Sequence, residues 1–299
     1  MLDRGSPDYP NRLRYIHRPP EPLYIQGPFT DWHRPSVAIV GTRAASAGGR
    51  GIAEEIAYEL ALRGIVILSG LARGIDRAAH EGALKAKGVT IAVIGTGLDV
   101  NYPREHYQLR RDIAAVGAIV SEFPYGTPPL AYHFPRRNRI LAGMSDLILV
   151  VEAELRSGAL ITAQWGLEQG KEVMAIPRNP WDSGSEGVNR LIRDGARPVT
   201  DARDIVESLD ALIREPMNDA TSTIAPSNRL DGLSAVEAIL GEIKKKGSAD
   251  LERLYLSMPE LSPSELSRHL SRLELDGRIR RGPQGFECAD EVGSWETRS

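Results

Sequence analysis

The sequence predicts an α/β protein: a doubly wound, Rossmann-like parallel sheet with a small C-terminal winged-helix domain. Six short apolar runs alternate with helical stretches between residues 36 and 207, which is typical of βαβ units. Each run is followed by a loop rich in glycine or serine, and right-handed crossovers place all these loops at one edge of the sheet. We call this edge the rim; its loops are residues 41–46, 69–76, 95–100, 121–126, 152–158 and 177–184.

Composition excludes several classes of protein. The 299 residues contain no apolar run near the roughly 20 residues that span a bilayer. No apolar stretch follows the first positive charges, so no secretory signal is predicted and we expect a cytoplasmic protein. The single cysteine, Cys288, excludes an intramolecular disulfide and a multi-cysteine metal cluster. A net charge of −3 excludes a broadly basic coat but permits local basic patches.

The elements follow in order along the chain. Residues 1–35 are proline-rich and predict an irregular packing arm with one short edge strand at 23–27. The Rossmann-like domain is predicted at 36–207. Its strands are expected at 37–41, 65–70, 90–95, 118–123, 147–151 and 172–177, and its helices at 51–62, 75–87, 104–115 and 159–169.

The C-terminal part changes character. Residues 208–232 have the polar, Pro/Ser/Thr-bearing composition of a linker. Helices are expected at 234–246, at 249–257 and from 262, followed by a hairpin around Gly282-Pro283, which resembles a winged-helix module over 233–290. Acidic residues outnumber basic ones there, so this module is expected to read duplex DNA weakly. Protein contact and an auxiliary DNA role remain equally open.

The first rim loop predicts an anion site. Gly41-Thr42-Arg43, with Ser46 before a helix, aims backbone N–H groups and a guanidinium at one point. No Gly-Lys-Ser/Thr follows, so the loop is not a Walker A motif. Val100 stands where the third glycine of a dinucleotide fingerprint belongs, which argues against a nicotinamide site. We expect no cofactor.

Acidic side chains on the rim have structural interpretations. Asp76 is predicted to pair with Arg73, and His80 lies one helical turn later, within reach of Asp76. Glu122 and Glu152 follow predicted strands and are candidates for acid–base catalysis if they converge. No spacing singles out a nucleophile or a metal-binding set. We therefore expect a protein that is not an enzyme.

Residues 134–139 form the sharpest motif. Phe134 precedes Pro135 and is expected to be extended, in a loop with three arginines. An aromatic face beside cations is the combination with which single-strand binders stack bases and hold phosphates. The alternative is a Phe134 in the core with solvated arginines.

Several ordered motifs together resemble the DNA-processing protein A family, also called DprA or Smf. They lie at residues 41–43, 69–76, 134–143, 152–153, 157–163 and 187–192. The resemblance implies a Rossmann-like domain that binds single-stranded DNA, forms a homodimer and helps load the RecA recombinase during natural transformation. Arg43 and the segment Arg137-Asn138-Arg139 fall on the family's DNA-binding motifs. The C-terminal part is similar to the winged-helix module that some members carry.

Two departures and two alternatives accompany this resemblance. Arg178 follows Pro177 where the family usually has glycine, and the N-terminal helical domain of many members is missing. A free-nucleotide sensor or phosphoribohydrolase-like enzyme is one alternative, although its Pro-Gly-Gly-x-Gly-Thr loop is missing; an adaptor for an acidic protein is the other.

The predicted DNA-binding residues are Gly41, Thr42, Arg43, Ser69, Gly70, Arg73, Phe134, Arg136, Arg137, Asn138, Arg139, Ser157 and Gly158.

Overall fold

A computed structural model describes residues 1–182, 184–214 and 232–246 and a set of positions farther along the chain. Those positions are 248–249, 254, 257–258, 266, 269–270, 273–274, 278–282 and 285–288. The chain divides into two compact units, Met1–Asp219 and Ala220–Ser299. In the described part of the chain, no helix is both long and apolar enough to cross a membrane.

The first unit is built on an eight-stranded sheet. The strands run in the order β1-β5-β4-β3-β2-β6-β7-β8, and all neighbours are parallel except β1 and β5. Their bounds are β1 Tyr24–Gln26, β2 Ser36–Val40, β3 Val66–Ser69, β4 Thr90–Val93, β5 Ala118–Ser121, β6 Leu147–Val150, β7 Glu172–Ala175 and β8 Arg197–Pro198. The chain moves outward from β2 to β5 and then returns to β6 beside β2. The strand order therefore reverses at β2 and β6, where doubly wound sheets bind ligands.

Helices cover both faces of this sheet. The helices of the first unit are α1 Ala47–Leu62, α2 Ile75–Lys85, α3 Tyr107–Val116, α4 His133–Met144, α5 Gly158–Glu168, α6 Glu186–Arg193 and α7 Ala202–Arg214, with short 3₁₀ helices at Asn11–Tyr15 and Arg104–His106. Helix α8, Gly232–Lys246, belongs to the second unit. One core joins α4 and α5 to the N-terminal arm, and a second joins α1, α2 and α7. Because β2 to β6 are buried throughout, their sequences are continuous apolar runs.

The predicted α/β fold is confirmed. All six predicted strands exist, each within two residues of its expected bounds, and the edge strand lies inside 23–27. The arm packs as expected, since Tyr9, Leu13 and Leu23 are at most 2% exposed. Four elements of the first unit's sheet and α-helices were not predicted: β8, which is only two exposed residues long, α6, which follows a polar loop, and the helices α4 and α7.

The predicted start of the linker is wrong. Residues 208–214 belong to α7, which runs from Ala202 to Arg214 because Ile205 and Leu209 are buried against the sheet. The helix therefore belongs to the first unit. The rest of the expected linker lies outside the described residues.

The second unit contains α8 and a hairpin. Strands β9, Ile279–Gly282, and β10, Gly285–Cys288, pair antiparallel, so the expected hairpin is confirmed. Ala249 bridges Phe286, and buried side chains such as Ile239, Leu254 and Leu270 form a separate core. The helices expected at 249–257 and from 262 lie largely outside the described residues, so the winged-helix assignment remains a prediction.

Candidate nucleic-acid interface

A cleft of about 550 Å³ opens at the carboxyl ends of β2 and β6. We call it the rim cleft. The rim cleft contains eight of the predicted DNA-binding residues: Gly41, Thr42, Arg43, Phe134, Arg137, Asn138, Ser157 and Gly158. Other lining residues include Tyr102, Leu141, Arg156 and Thr162. The reversal of strand order thus brings together motifs that are up to 117 positions apart in the sequence, from residue 41 to residue 158.

The segment 134–139 is helical, so its prediction as an extended loop is wrong. It forms the first turns of α4, which begins at His133. Pro135 is tolerated there because the N–H groups of a helix's first turn have no intrahelical acceptor. The restriction on the residue before proline is a preference, and helix packing against the sheet overrides it at Phe134.

The helical period divides the cationic segment between two sites. Phe134, Arg137, Asn138 and Leu141 recur every three or four residues and line the rim cleft. Arg136 and Arg139 line a second cavity of about 740 Å³ beside the arm, with Arg18 and Trp165 among its other residues. The structure therefore does not bring these two arginines into the rim cleft.

Glu122 is the partner of both displaced arginines. Its two carboxylate oxygens accept from Arg139 Nη1 at 2.7 Å and Nη2 at 2.8 Å, and Arg136 Nη2 lies 2.9 Å away. Arg139 and Glu122 are both buried. Two parallel hydrogen bonds that are shielded from water fix the orientation of the Arg139 guanidinium. Glu122 therefore anchors α4 rather than forming a catalytic pair with Glu152.

Arg137 lies beneath the cleft as a buried cation. It is 5% exposed and donates through Nη1 to the carbonyl oxygens of Gly70, at 2.9 Å, and Val93. Burial lowers the pKa of Arg137 to about 10, against the opposing effect of Asp76, so the group stays charged at neutral pH. It contributes positive potential to the floor of the rim cleft.

Asp76 lies near Arg137, whereas Arg73, its predicted partner, pairs with Glu105. A Cβ placed on Gly70 would lie 2.4 Å from Arg137 Nη2 and 2.6 Å from Asp76 Oδ2, so the two charges are close together. Asp76 Oδ2 also accepts the N–H groups of Gly70 at 3.1 Å and Ala72 at 3.3 Å. Burial raises the pKa of Asp76, while Arg137 opposes this shift.

The other predictions for the second rim loop need similar correction. Arg73 is exposed and forms an ion pair with Glu105. Ser69 is fully buried, and its hydroxyl donates to Ile39 O at 2.6 Å, so it holds the sheet. His80 bonds through Nδ1 with Thr90 Oγ1 at 2.7 Å instead of contacting Asp76.

A smaller recess adjoins the rim cleft. Arg43, Phe134 and Arg137 line both spaces, while the recess adds Gly70 and Arg73. Of the predicted DNA-binding residues, Ser69, Arg136 and Arg139 therefore line neither space.

The start of α1 already holds an anion. The carboxylate of Glu152 accepts from the Ser46 N–H at 3.2 Å and from the Ser46 hydroxyl at 2.9 Å, while its backbone oxygen accepts from Thr42 N–H at 2.7 Å. Acidic groups are stabilised at this positive end of a helix. The N–H groups of Thr42 and Ser46 are therefore used by Glu152 and are not available to a phosphate.

Arg178 balances this buried carboxylate. Its Nη1 lies 3.2 Å from Glu152, and its Nη2 donates to Ser46 Oγ at 3.2 Å. The guanidinium is nearly buried, with 11% of the side chain exposed. The arginine that stands where the family usually has glycine thus joins the loop after β7 to the loops after β2 and β6.

The open side of the cleft combines a stacked cation with a free helix end. The exposed Arg43 guanidinium lies 5.2 Å from the centre of the Phe134 ring, and the ring of Tyr102 lies 5.6 Å from it. Ser157 caps α5 by accepting the Ala159 N–H at 3.3 Å, and Gly158 is exposed at the first position of the helix. A positive helix end and an exposed guanidinium therefore face one space.

Sequence reasoning missed Tyr102 and Arg156 as members of this site. Tyr102 follows the third rim loop, and its position beside Pro103 was a usable signal, because an aromatic residue next to a strand-to-helix loop is suited to stacking. Arg156 lies directly before the α5 cap in a predicted rim loop, and it is exposed in the cleft.

Comparison with known proteins agrees with this geometry. The family model described as DNA recombination-mediator protein A matches residues 1–210. The chain belongs to the DNA-processing protein A (DprA/Smf) family. Protein Smf of Escherichia coli is 47% identical over 290 residues, covering 96% of this chain and 76% of that protein. DprA of Streptococcus pneumoniae is 43% identical over 202 residues, covering 68% and 71%.

Solved DprA structures share the fold. That of Streptococcus pneumoniae DprA has a TM-score of 0.66 at 42% identity, covering 69% of this chain and 72% of its own. That of Helicobacter pylori DNA processing protein A, described for its single-stranded DNA binding mode, has a TM-score of 0.63 at 28% identity, covering 72% and 99%. The described residues of this DprA/Smf family member hold no group of three or more His, Cys, Asp or Glu side chains placed to bind a metal ion.

Proposed function

We propose that this chain binds single-stranded DNA in the rim cleft as a non-enzymatic DNA-processing protein. The supporting observation is the exposed Arg43 guanidinium over the Phe134 ring, beside the free start of α5. In this role the protein protects incoming DNA and helps load the RecA recombinase during natural transformation. The family membership and the single-strand binding described for the Helicobacter pylori relative support this proposal.

Each part of the cleft has a distinct task. Phosphates contact Arg43, Arg156 and the N–H at Gly158, since these groups are exposed and positive. A base stacks on Phe134, and Arg43 turns from the ring to the adjacent phosphate as the base arrives. Buried Arg137 holds the potential of the floor positive without direct contact.

This arrangement reads little of the base sequence. Phosphate contacts position a strand, and stacking accepts every base because each has a π-face. The hydrogen-bonding groups of Asp76 and Glu152 that lie near the floor are already used by the protein. We therefore expect binding that depends strongly on salt and weakly on sequence.

The partners are part of the same proposal. Family membership supports a homodimer, a cytoplasmic location and transfer of the strand to RecA. Light scattering of the purified chain measures the dimer. Loading of RecA is measured as the rate of filament formation on DNA coated with a single-strand-binding protein. An unchanged rate with added chain would contradict the recombinase role.

Fluorescence anisotropy with a labelled oligonucleotide tests DNA binding directly. The chain should prefer the single strand over its duplex, and affinity should fall with salt at a slope of about −0.7 per phosphate contact. Arg43→Ala should weaken binding about 10-fold and reduce the slope by about 0.7. Phe134→Ala should weaken it about 5-fold or more without changing the slope.

Arg193→Ala is the matched control, because Arg193 is an exposed arginine in the last turn of α6, away from the rim. It should bind as the unmodified chain does. The proposal would be contradicted if the chain bound single-stranded and duplex DNA equally weakly and Arg43→Ala did not change that binding. Release of free base from nucleoside monophosphates would instead identify a phosphoribohydrolase-like enzyme.

A further inference from the structure

Trp181 is an unusually open aromatic side chain. It is 92% exposed, the highest value among the exposed large apolar side chains in the described part of the chain. It lies in the rim loop after β7, for which the sequence predicted no DNA-binding residue. A single exposed apolar side chain often has no role, so the surroundings of Trp181 must show whether it has one.

A hydrogen-bonded turn carries this ring. Asp182 N–H donates to Asn179 O at 3.0 Å, and Trp181 N–H donates to the Asn179 side-chain oxygen at 3.1 Å. Pro180 occupies the second position of this turn, where its fixed φ is favourable. The buried Ser185 hydroxyl donates to Pro180 O at 3.3 Å. Binding at Trp181 therefore requires little ordering of the backbone.

The turn is joined to the edge of the rim cleft. Ala153 N–H donates to Gly184 O at 2.9 Å, and Gly187 N–H donates to Ala153 O at 2.8 Å. The Arg178 guanidinium, three residues before Trp181, contacts Glu152 and Ser46. Glu154 and residues 156–158, which follow Ala153 closely, line the rim cleft. The loop that carries Trp181 is thus bonded to the segment that forms one side of the rim cleft.

The local charge favours a base over a phosphate. Asp182 is adjacent and 51% of its side chain is exposed, and Glu186 is exposed in the first turn of α6. These carboxylates repel a phosphate, whereas the open indole offers both of its faces for stacking. Arg178, the cation of this loop, is already used by Glu152.

We propose that Trp181 is a second base-stacking residue, which inserts between bases of the single strand where the strand leaves the rim cleft on the β7 side. This inference rests on the proposed function. It extends the DNA site from the β2 and β6 loops to the loop after β7. The contact is with base faces, so the contribution of Trp181 to the affinity should not depend on the salt concentration.

Anisotropy with oligothymidine tracts of about 4 to about 20 nucleotides tests this extension. Trp181→Ala should bind the shortest tracts as the unmodified chain does, because these fill only the cleft. It should bind long tracts between about 5-fold and about 100-fold more weakly, with an unchanged salt slope. Trp181→Phe should retain most of the affinity. Leu167→Ala, which removes an exposed apolar side chain near the end of α5, should have no effect.

The outcomes separate the inference from the function on which it rests. Unchanged binding of long tracts by Trp181→Ala, with Arg43→Ala still defective, would overturn the role of Trp181 alone. A changed salt slope, or a changed oligomeric state of Trp181→Ala, would overturn base stacking in favour of a phosphate or protein contact. Failure of the unmodified chain to bind any tract would overturn the proposed function.

Discussion

Acidification from pH 7 to pH 5 should destabilise the first unit by about 2 kcal/mol through one side chain, His80. His80 is fully buried on α2, and burial lowers the pKa of its imidazole to about 3. Its Nε2 has no hydrogen-bond partner among the described residues. A proton added there would place an unpaired charge in the core.

Hydrogen bonding identifies the tautomer. The Thr90 hydroxyl donates its single proton to Ile67 O at 2.8 Å, so it can only accept from His80 Nδ1 at 2.7 Å. Nδ1 therefore carries the proton, and Nε2 is the site that would titrate.

The sign and magnitude follow from linkage. The unfolded chain takes up a proton near pH 6.5, whereas the folded chain does so only near pH 3. Stability from His80 is complete above about pH 6.5 and is lost as pH falls towards 3, by about 1.4 kcal/mol per pH unit. Integration from pH 7 to pH 5 gives about 2 kcal/mol. The loss of about 2 kcal/mol holds for any pKa of His80 below about 4 in the folded chain.

Denaturant unfolding at both pH values measures the effect, with far-UV circular dichroism following the first unit. His80→Asn is the comparison, because an asparagine amide can replace the Nδ1 donor but does not titrate. The variant should lose about 2 kcal/mol less than the unmodified chain on acidification. Equal losses would refute the assignment of the effect to His80.

Two further predictions concern packing, and a third concerns a buried ion pair. Gly82→Ala should destabilise the first unit by about 3 kcal/mol, because the new Cβ would lie 2.1 Å from Glu54 O on α1 and the helices must separate. Gly51→Ala, with nothing within 4 Å of its Cβ, should instead stabilise the unit by up to about 1 kcal/mol; thermal unfolding compares them. Arg178→Ala should cost about 2 kcal/mol by leaving buried Glu152 without its cation, and adding Glu152→Gln should recover part of this loss. Additive losses in this double-mutant cycle would mean that the pair is uncoupled.

Local patterns were sufficient for the sheet. A strand buried on both faces is mostly apolar, so the runs at β2 to β6 were visible without any knowledge of their neighbours. Ser46 and Ser157 cap α1 and α5, but the predicted start of α1 was four residues late and that of α5 one residue late. Helix α7 was not predicted, because the apolar face of that helix is recognisable only against the sheet that it covers.

The error at α4 shows the limit of local preference. Pro135 and the preceding Phe134 indicate extended backbone in isolation, yet the first helical turn accepts both. Once helical, the segment had to direct its cations to different sides. A run of neighbouring arginines in the sequence therefore became one floor residue, Arg137, and two partners of Glu122.

By itself the sequence determined the α/β class, the row of rim loops and the family motifs, because these depend on residue type and short-range period. Only the tertiary structure decided which charges remain available. Glu122 and Glu152 have arginine partners from other segments, and Asp76 accepts from backbone N–H groups near Arg137, since a buried charge requires compensation and the topology decides which groups are near. What is left open at the rim, including Arg43, Phe134 and Trp181, is the surface that this pairing did not use.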